Sequence, residues 1–147
     1  MTQVSAEDYF ASLHSRLHEA EHMQRRKVES EGWKPEPAKC HENVDFWVSL
    51  NPNIKAVRGW MVLPMGIDGQ CMYDAHSVIE EDGVLYDITL REDAAGEYIP
   101  FLRHIGTDEE FSKLIANHSQ KIYPPITYEE GGEAQPIQTE EDTDDFL

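Results

Sequence analysis

The hydrophobic period changes partway along this chain, and that change decides what it can fold into. Up to Leu50 the apolar residues recur at helical spacing. From Ala56 to Thr89 they fall into short strand-like runs separated by glycine turns. Helices followed by consecutive strands predict an α+β fold, with N-terminal helices packed on an antiparallel β-meander.

Ser5-Ala6-Glu7-Asp8 approximates a capping box, and Tyr9, Phe10, Leu13, Leu17 and Ala20 then share a helical face. Arg25-Arg26-Lys27 suit a helix C-terminus and Gly32 a stop. The pattern predicts a helix from about Ala6 to Glu29. His14, His18 and His22 would then line one stripe, read as an exposed polar face. Pro35 and Pro37 hold an extended approach to a second, short helix with Val44, Trp47 and Val48 on its apolar side. Asn51-Pro52-Asn53 ends it. Cys40 lies at or just before its first turn.

Strands are expected over Ala56–Leu63, Gln70–Ile79 and Val84–Thr89, with an edge strand over Tyr98–His104 interrupted by Pro100. A last helix runs from a Thr107 cap to Asn117, with Phe111, Leu114 and Ile115 facing inward. Three parts result: an N-terminal helix over 1–32, a core over 33–123, and an acidic tail over 124–147 that reads as disordered.

Charge narrows the function. Asp and Glu number 29 against 12 Lys and Arg, a formal charge of −17. Such a chain lacks the surplus cations that direct nucleic-acid binding or attachment to an anionic membrane needs. The tail carries eight of the acids and no base, leaving −9 on residues 1–128, and closes on Asp144-Asp145-Phe146-Leu147. It suits a basic protein partner. No apolar run is long enough for a membrane span, and the start has no basic leader region. The two cysteines, Cys40 and Cys71, make no disulfide framework and predict a reduced, cytoplasmic protein. Cys71 reads as core. His41 with Cys71 and His104 matches no common zinc spacing, so no metal site is assigned.

Three residues can carry chemistry. A helix N-terminus favours a thiolate, which marks Cys40. His76 lies on the second strand and Asp87 on the third. A four-residue loop Glu80-Glu81-Asp82-Gly83 sets His76 directly opposite Asp87, where the carboxylate fixes the imidazole and leaves its other nitrogen for the thiol. A two-residue Asp82-Gly83 turn moves Asp87 opposite Val78, and is expected to put it on the other face from His76 and break the pair.

Cys40-His41-Glu42-Asn43-Val44, Ala75-His76-Ser77-Val78-Ile79 and Leu85-Tyr86-Asp87-Ile88-Thr89 resemble three segments of the protein N-terminal glutamine amidohydrolases. The resemblance covers short stretches within 38–90. It implies a papain/transglutaminase-like core and a triad of nucleophile Cys40, base His76 and orienting Asp87, needing no metal or cofactor. Papain-type enzymes add a glutamine side chain shortly before the cysteine; Lys34 stands there. Trp33 and Asn43 are the expected substrate contacts. The expected function is a cysteine hydrolase acting on a glutamine side chain or a peptide amide of a protein or peptide substrate. The alternative is a non-catalytic acidic accessory protein, of phage or bacterial type, mimicking nucleic acid toward a basic partner.

Overall fold

The computed structural model describes residues 5–66, 68–89 and 99–125. The acidic tail beyond Pro125, with the expected binding of a basic partner, lies outside them. The chain runs α1 (Ala6–His14), β1 (Glu21–His22), β2 (Gln24–Arg25), α2 (Cys40–Leu50), β3 (Lys55–Pro64), β4 (Cys71–Glu81), β5 (Val84–Asp87), β6 (Pro100–Arg103), α3 (Asp108–Ile115) and β7 (Gln120–Tyr123). The class is α+β. Among the described residues no helix is long and apolar enough to cross a membrane.

The strands form one mixed sheet in the order β1-β6-β3-β4-β5-β2, with β7 also on β4. β3, β4 and β5 make the antiparallel meander, while β2 runs parallel to β5. β1 and β2 stand at opposite ends of the order yet are joined by Met23 alone. The sheet therefore curls nearly into a barrel, with Met23, Val78, Leu85 and Phe101 packed together.

This closure corrects the expected Ala6–Glu29 helix. Ser5 does cap α1, accepting from the Asp8 N–H, but the helix stops at His14. A single 3₁₀ turn, Leu17–Glu19, follows. Residues 21–25 are drawn into the sheet because β6 and β5 otherwise present unpaired edges. Long-range pairing overrides local helical spacing. The three histidines then share no stripe: His14 Nδ1 meets the Tyr73 hydroxyl at 2.5 Å, and His22 is in β1. Phe10 and Leu13 of α1 pack with Trp60, Tyr73 and Phe111. β6 is likewise no edge strand; it lies between β1 and β3, with Pro100 at its first position.

The β4–β5 hairpin uses the two-residue turn. Ile79 faces Tyr86 and Glu81 faces Val84, with Asp82 and Gly83 at φ 55° and 82°. Positive φ at both central residues is the hairpin turn that Asp-Gly favours. One step along this ladder, Asp87 falls opposite Val78 rather than His76. The expected loss of the His76–Asp87 pair does not follow. Val78 and His76 are two residues apart, so they share a face, and Asp87 is a diagonal neighbour on that same face.

Gly59 of β3 lies opposite both His76 and Arg103. A Cβ there would stand 2.4 Å from the Leu102 carbonyl oxygen and 2.6 Å from the Phe101 ring. Only glycine lets these strands and that ring approach so closely.

Candidate active site

Cys40 is the first residue of α2 and is half-buried. Ala38, two residues earlier, has φ 65°, a left-handed conformation that alanine rarely adopts and that turns the chain into the helix. The helix start differs from the other two. α1 and α3 are capped by the side chains of Ser5 and Thr107, whereas Lys39 at the start of α2 makes no such bond. Its first-turn N–H groups have no partner within the helix and no capping side chain. They are suited to meet negative charge beside Cys40.

His76 and Asp87 are both buried, at 4% and 1% exposure. His76 Nε2–H donates to Asp87 Oδ2 at 2.8 Å. The other carboxylate oxygen accepts the Thr89 N–H at 2.8 Å. Nδ1 is the remaining nitrogen of the His76 ring. Burial disfavours the His76 cation, but hydrogen bonds to Asp87 and Cys40, and their negative charge, hold its pKa well above the imidazole range. Burial likewise raises the Cys40 thiol. Side-chain hydrogen bonds with His41 and His76, and the charge of those rings, prevail and bring it down to about 6. Both shifts favour the charged forms, thiolate and imidazolium.

Asn43 is buried one turn into α2, and its amide is committed within the protein. Oδ1 accepts the Glu36 N–H at 3.1 Å, while Nδ2 donates to the Glu36 carbonyl at 2.9 Å and to Thr89 Oγ1 at 3.0 Å. Its expected substrate contact is thereby corrected: an amide spent on three internal bonds positions rather than binds. Asn43 ties the loop before Cys40 to the residue that holds Asp87. A polar ring thus runs from Cys40 through His76, Asp87, Thr89 and Asn43 back to α2. Trp33 is seated against Phe46 and Trp47 of α2, at centroid distances of 4.5 and 6.1 Å.

A second set of partners has no local sign in the sequence. His41 Nδ1 meets Ser77 Oγ at 2.5 Å. Ser77 also accepts from Arg58 Nη1 at 2.9 Å, and Arg58 Nη2 donates to Asp45 at 2.5 Å. Ser77 follows His76 and Arg58 pairs with Ser77 across the β3–β4 ladder. Strand register alone could have suggested it.

Comparison with family models, curated proteins and solved structures finds no match. The reading of the site therefore stands on its own geometry. Among the described residues no group of three or more His, Cys, Asp or Glu side chains converges as metal ligands.

Proposed function

We propose that the protein is a cysteine-dependent amidohydrolase of papain/transglutaminase-like arrangement, acting on a glutamine side chain or a peptide amide. The observation that carries this is the buried His76 Nε2–Asp87 Oδ2 bond of 2.8 Å, with His76 on β4, the strand against which the Cys40 helix packs. The Cys40 thiolate attacks the amide carbon and forms the C–S bond, while the carbonyl π pair moves onto oxygen. The uncapped N–H groups of α2 stabilise that oxyanion. As the C–N bond breaks, His76 delivers its proton to the leaving nitrogen. His76 then takes a proton from water, which hydrolyses the thioester and restores Cys40. An amine in place of water gives acyl transfer. A thiol of this reactivity must stay reduced, which suits a cytoplasmic setting and a protein or peptide substrate.

The test is ammonia release from peptides carrying N-terminal or internal glutamine, with peptide cleavage followed by mass in parallel. The expected result is release or cleavage by the wild type and none by Cys40→Ala. Equal rates for both proteins, or none for either across the peptide set, would overturn the assignment.

A further inference from the structure

We propose that Arg58, Ser77 and His41 form a brace that holds the start of α2 against β4 and so sets the position of Cys40 relative to His76. This rests on the reading of those two residues as nucleophile and base, and adds positioning residues to their site. The strand pairing leaves a place for the brace. On the side of β4 away from β3, β7 pairs with residues 71–74 and β5 with residues 79–81. His76, Ser77 and Val78 fall between the two pairings, and α2 packs on this strand. His41 follows Cys40 in the chain, and Ser77 follows His76. His41 Nδ1 meets Ser77 Oγ at 2.5 Å, so the residue after the nucleophile is bonded to the residue after the base. Consecutive strand residues turn to opposite faces, so Ser77 serves α2 while His76 keeps Asp87.

The brace is anchored on three elements. Ser77 is fully buried and accepts from Arg58 Nη1 at 2.9 Å. The Arg58 side chain is itself only 13% exposed, and Asp45 of α2 and Asp108 of α3 hold its guanidinium at 2.5 and 3.5 Å. The His41 ring also meets Phe111 of α3 edge-on, at 5.8 Å between centroids. The central bond survives either charge of His41. A hydroxyl has one hydrogen and two lone pairs, and Arg58 occupies one lone pair. A neutral His41 accepts the hydroxyl hydrogen at Nδ1, while a protonated ring donates to the second lone pair. A misplacement of about 1 Å between reacting groups costs on the order of a hundredfold in rate, which is what such a brace prevents. Arg58, Ser77 and His41 act here through the spacing of Cys40 and His76.

The test is the pH profile of Cys40 alkylation by iodoacetamide on the full chain, read on the Cys40 peptide by mass, with folding checked by thermal melts. Ser77→Ala cuts the brace at its centre and loosens the pair. It should raise the midpoint by about one unit, cutting the thiolate fraction at pH 6 about fivefold. In a His76→Ala background the same substitution should leave the midpoint where His76→Ala puts it, because the brace works only through that pair. Arg58→Met should move the midpoint in the same direction as Ser77→Ala. A wild-type midpoint in Ser77→Ala, or a shift of the same size in the His76→Ala background, would overturn the inference. Should Ser77→Ala fail to fold, a wild-type midpoint in Arg58→Met would overturn it instead. Each of these results leaves the Cys40–His76 reading intact; that reading falls, and the brace with it, only if His76→Ala alone keeps the wild-type profile.

Discussion

Two histidines of this fold, His76 and His104, are both withdrawn from water, and their pKa values move in opposite directions. His104 is the more exposed, yet burial prevails and its pKa is lowered. His76 is nearly sealed, yet its pKa is raised. Their partners make the difference. His104 Nε2–H donates to the Thr107 carbonyl at 3.1 Å, and its Nδ1 accepts from the Tyr9 hydroxyl at 2.8 Å. That hydroxyl accepts from Trp60 Nε1 at 2.8 Å, and burial pushes its own pKa up to about 12, so it remains a donor. One donor and one acceptor, both neutral, suit a neutral ring. His76 instead donates to a carboxylate, and the negative charge of Asp87 and Cys40 favours its cation. An imidazole beside a carboxylate is held as the cation here, whereas one between neutral partners is held neutral.

Asp87→Asn would give His76 a neutral partner like that of His104, and carries the largest expected effect. Turnover should fall about 10²- to 10⁴-fold. The Cys40 alkylation midpoint should climb from about 6 toward about 8.5. Low-pKa thiolates are intrinsically weaker nucleophiles, so the rate at pH 6 should drop only on the order of tenfold, and the midpoint is the decisive reading. A midpoint unmoved by Asp87→Asn would break the comparison.

Tyr9→Phe acts on the other member. It strips a partner from His104 and from the fully buried Trp60, and should cost about 1–3 kcal/mol in urea unfolding while leaving the Cys40 profile alone. A shifted Cys40 profile would mean that the two histidines are not independent.

Stability against pH should separate them by sign. The raised pKa of His76 contributes stability that is full below about 6.5, the unfolded value, and is lost as pH rises through the folded value. The lowered pKa of His104 contributes stability present above about 6.5 and lost as pH falls through its folded value. His76→Gln should therefore flatten the alkaline limb of the unfolding free energy, and His104→Gln the acid limb. The same limb flattened by both variants would contradict the assignment. The smallest effect belongs to His18, which has a carboxylate neighbour, Glu19, at 3.6 Å but a side chain 75% exposed. His18→Ala should change stability by less than about 0.5 kcal/mol, because in water a carboxylate neighbour counts for little.

Local chemistry was legible where local chemistry decides. Pro37 and the spacing of Val44, Trp47 and Val48 place a helix that begins at Cys40, and Thr107 and Glu110 form a reciprocal capping box on α3. Asp82-Gly83 marks the hairpin, but its register required the turn length. The expectation of a broken pair erred on parity alone, since Val78 and His76 share a face. What local pattern could not supply lies far apart in sequence. Residues 21–25 look helical until β5 and β6, some sixty to eighty residues on, recruit them as strands. The Arg58–Ser77–His41 arm is assembled the same way, from three elements that only the folded sheet brings together.

The most direct measurement is the rate of Cys40 alkylation against pH in wild type and in His76→Ala, followed by intact mass and peptide mapping so that Cys71 is counted separately. A thiolate coupled to His76 predicts a midpoint near 6 in the wild type and a midpoint displaced toward about 8.5 in the variant. An ordinary midpoint near 8.5 in the wild type, indifferent to His76→Ala, would contradict a nucleophilic Cys40 and with it the amidohydrolase assignment.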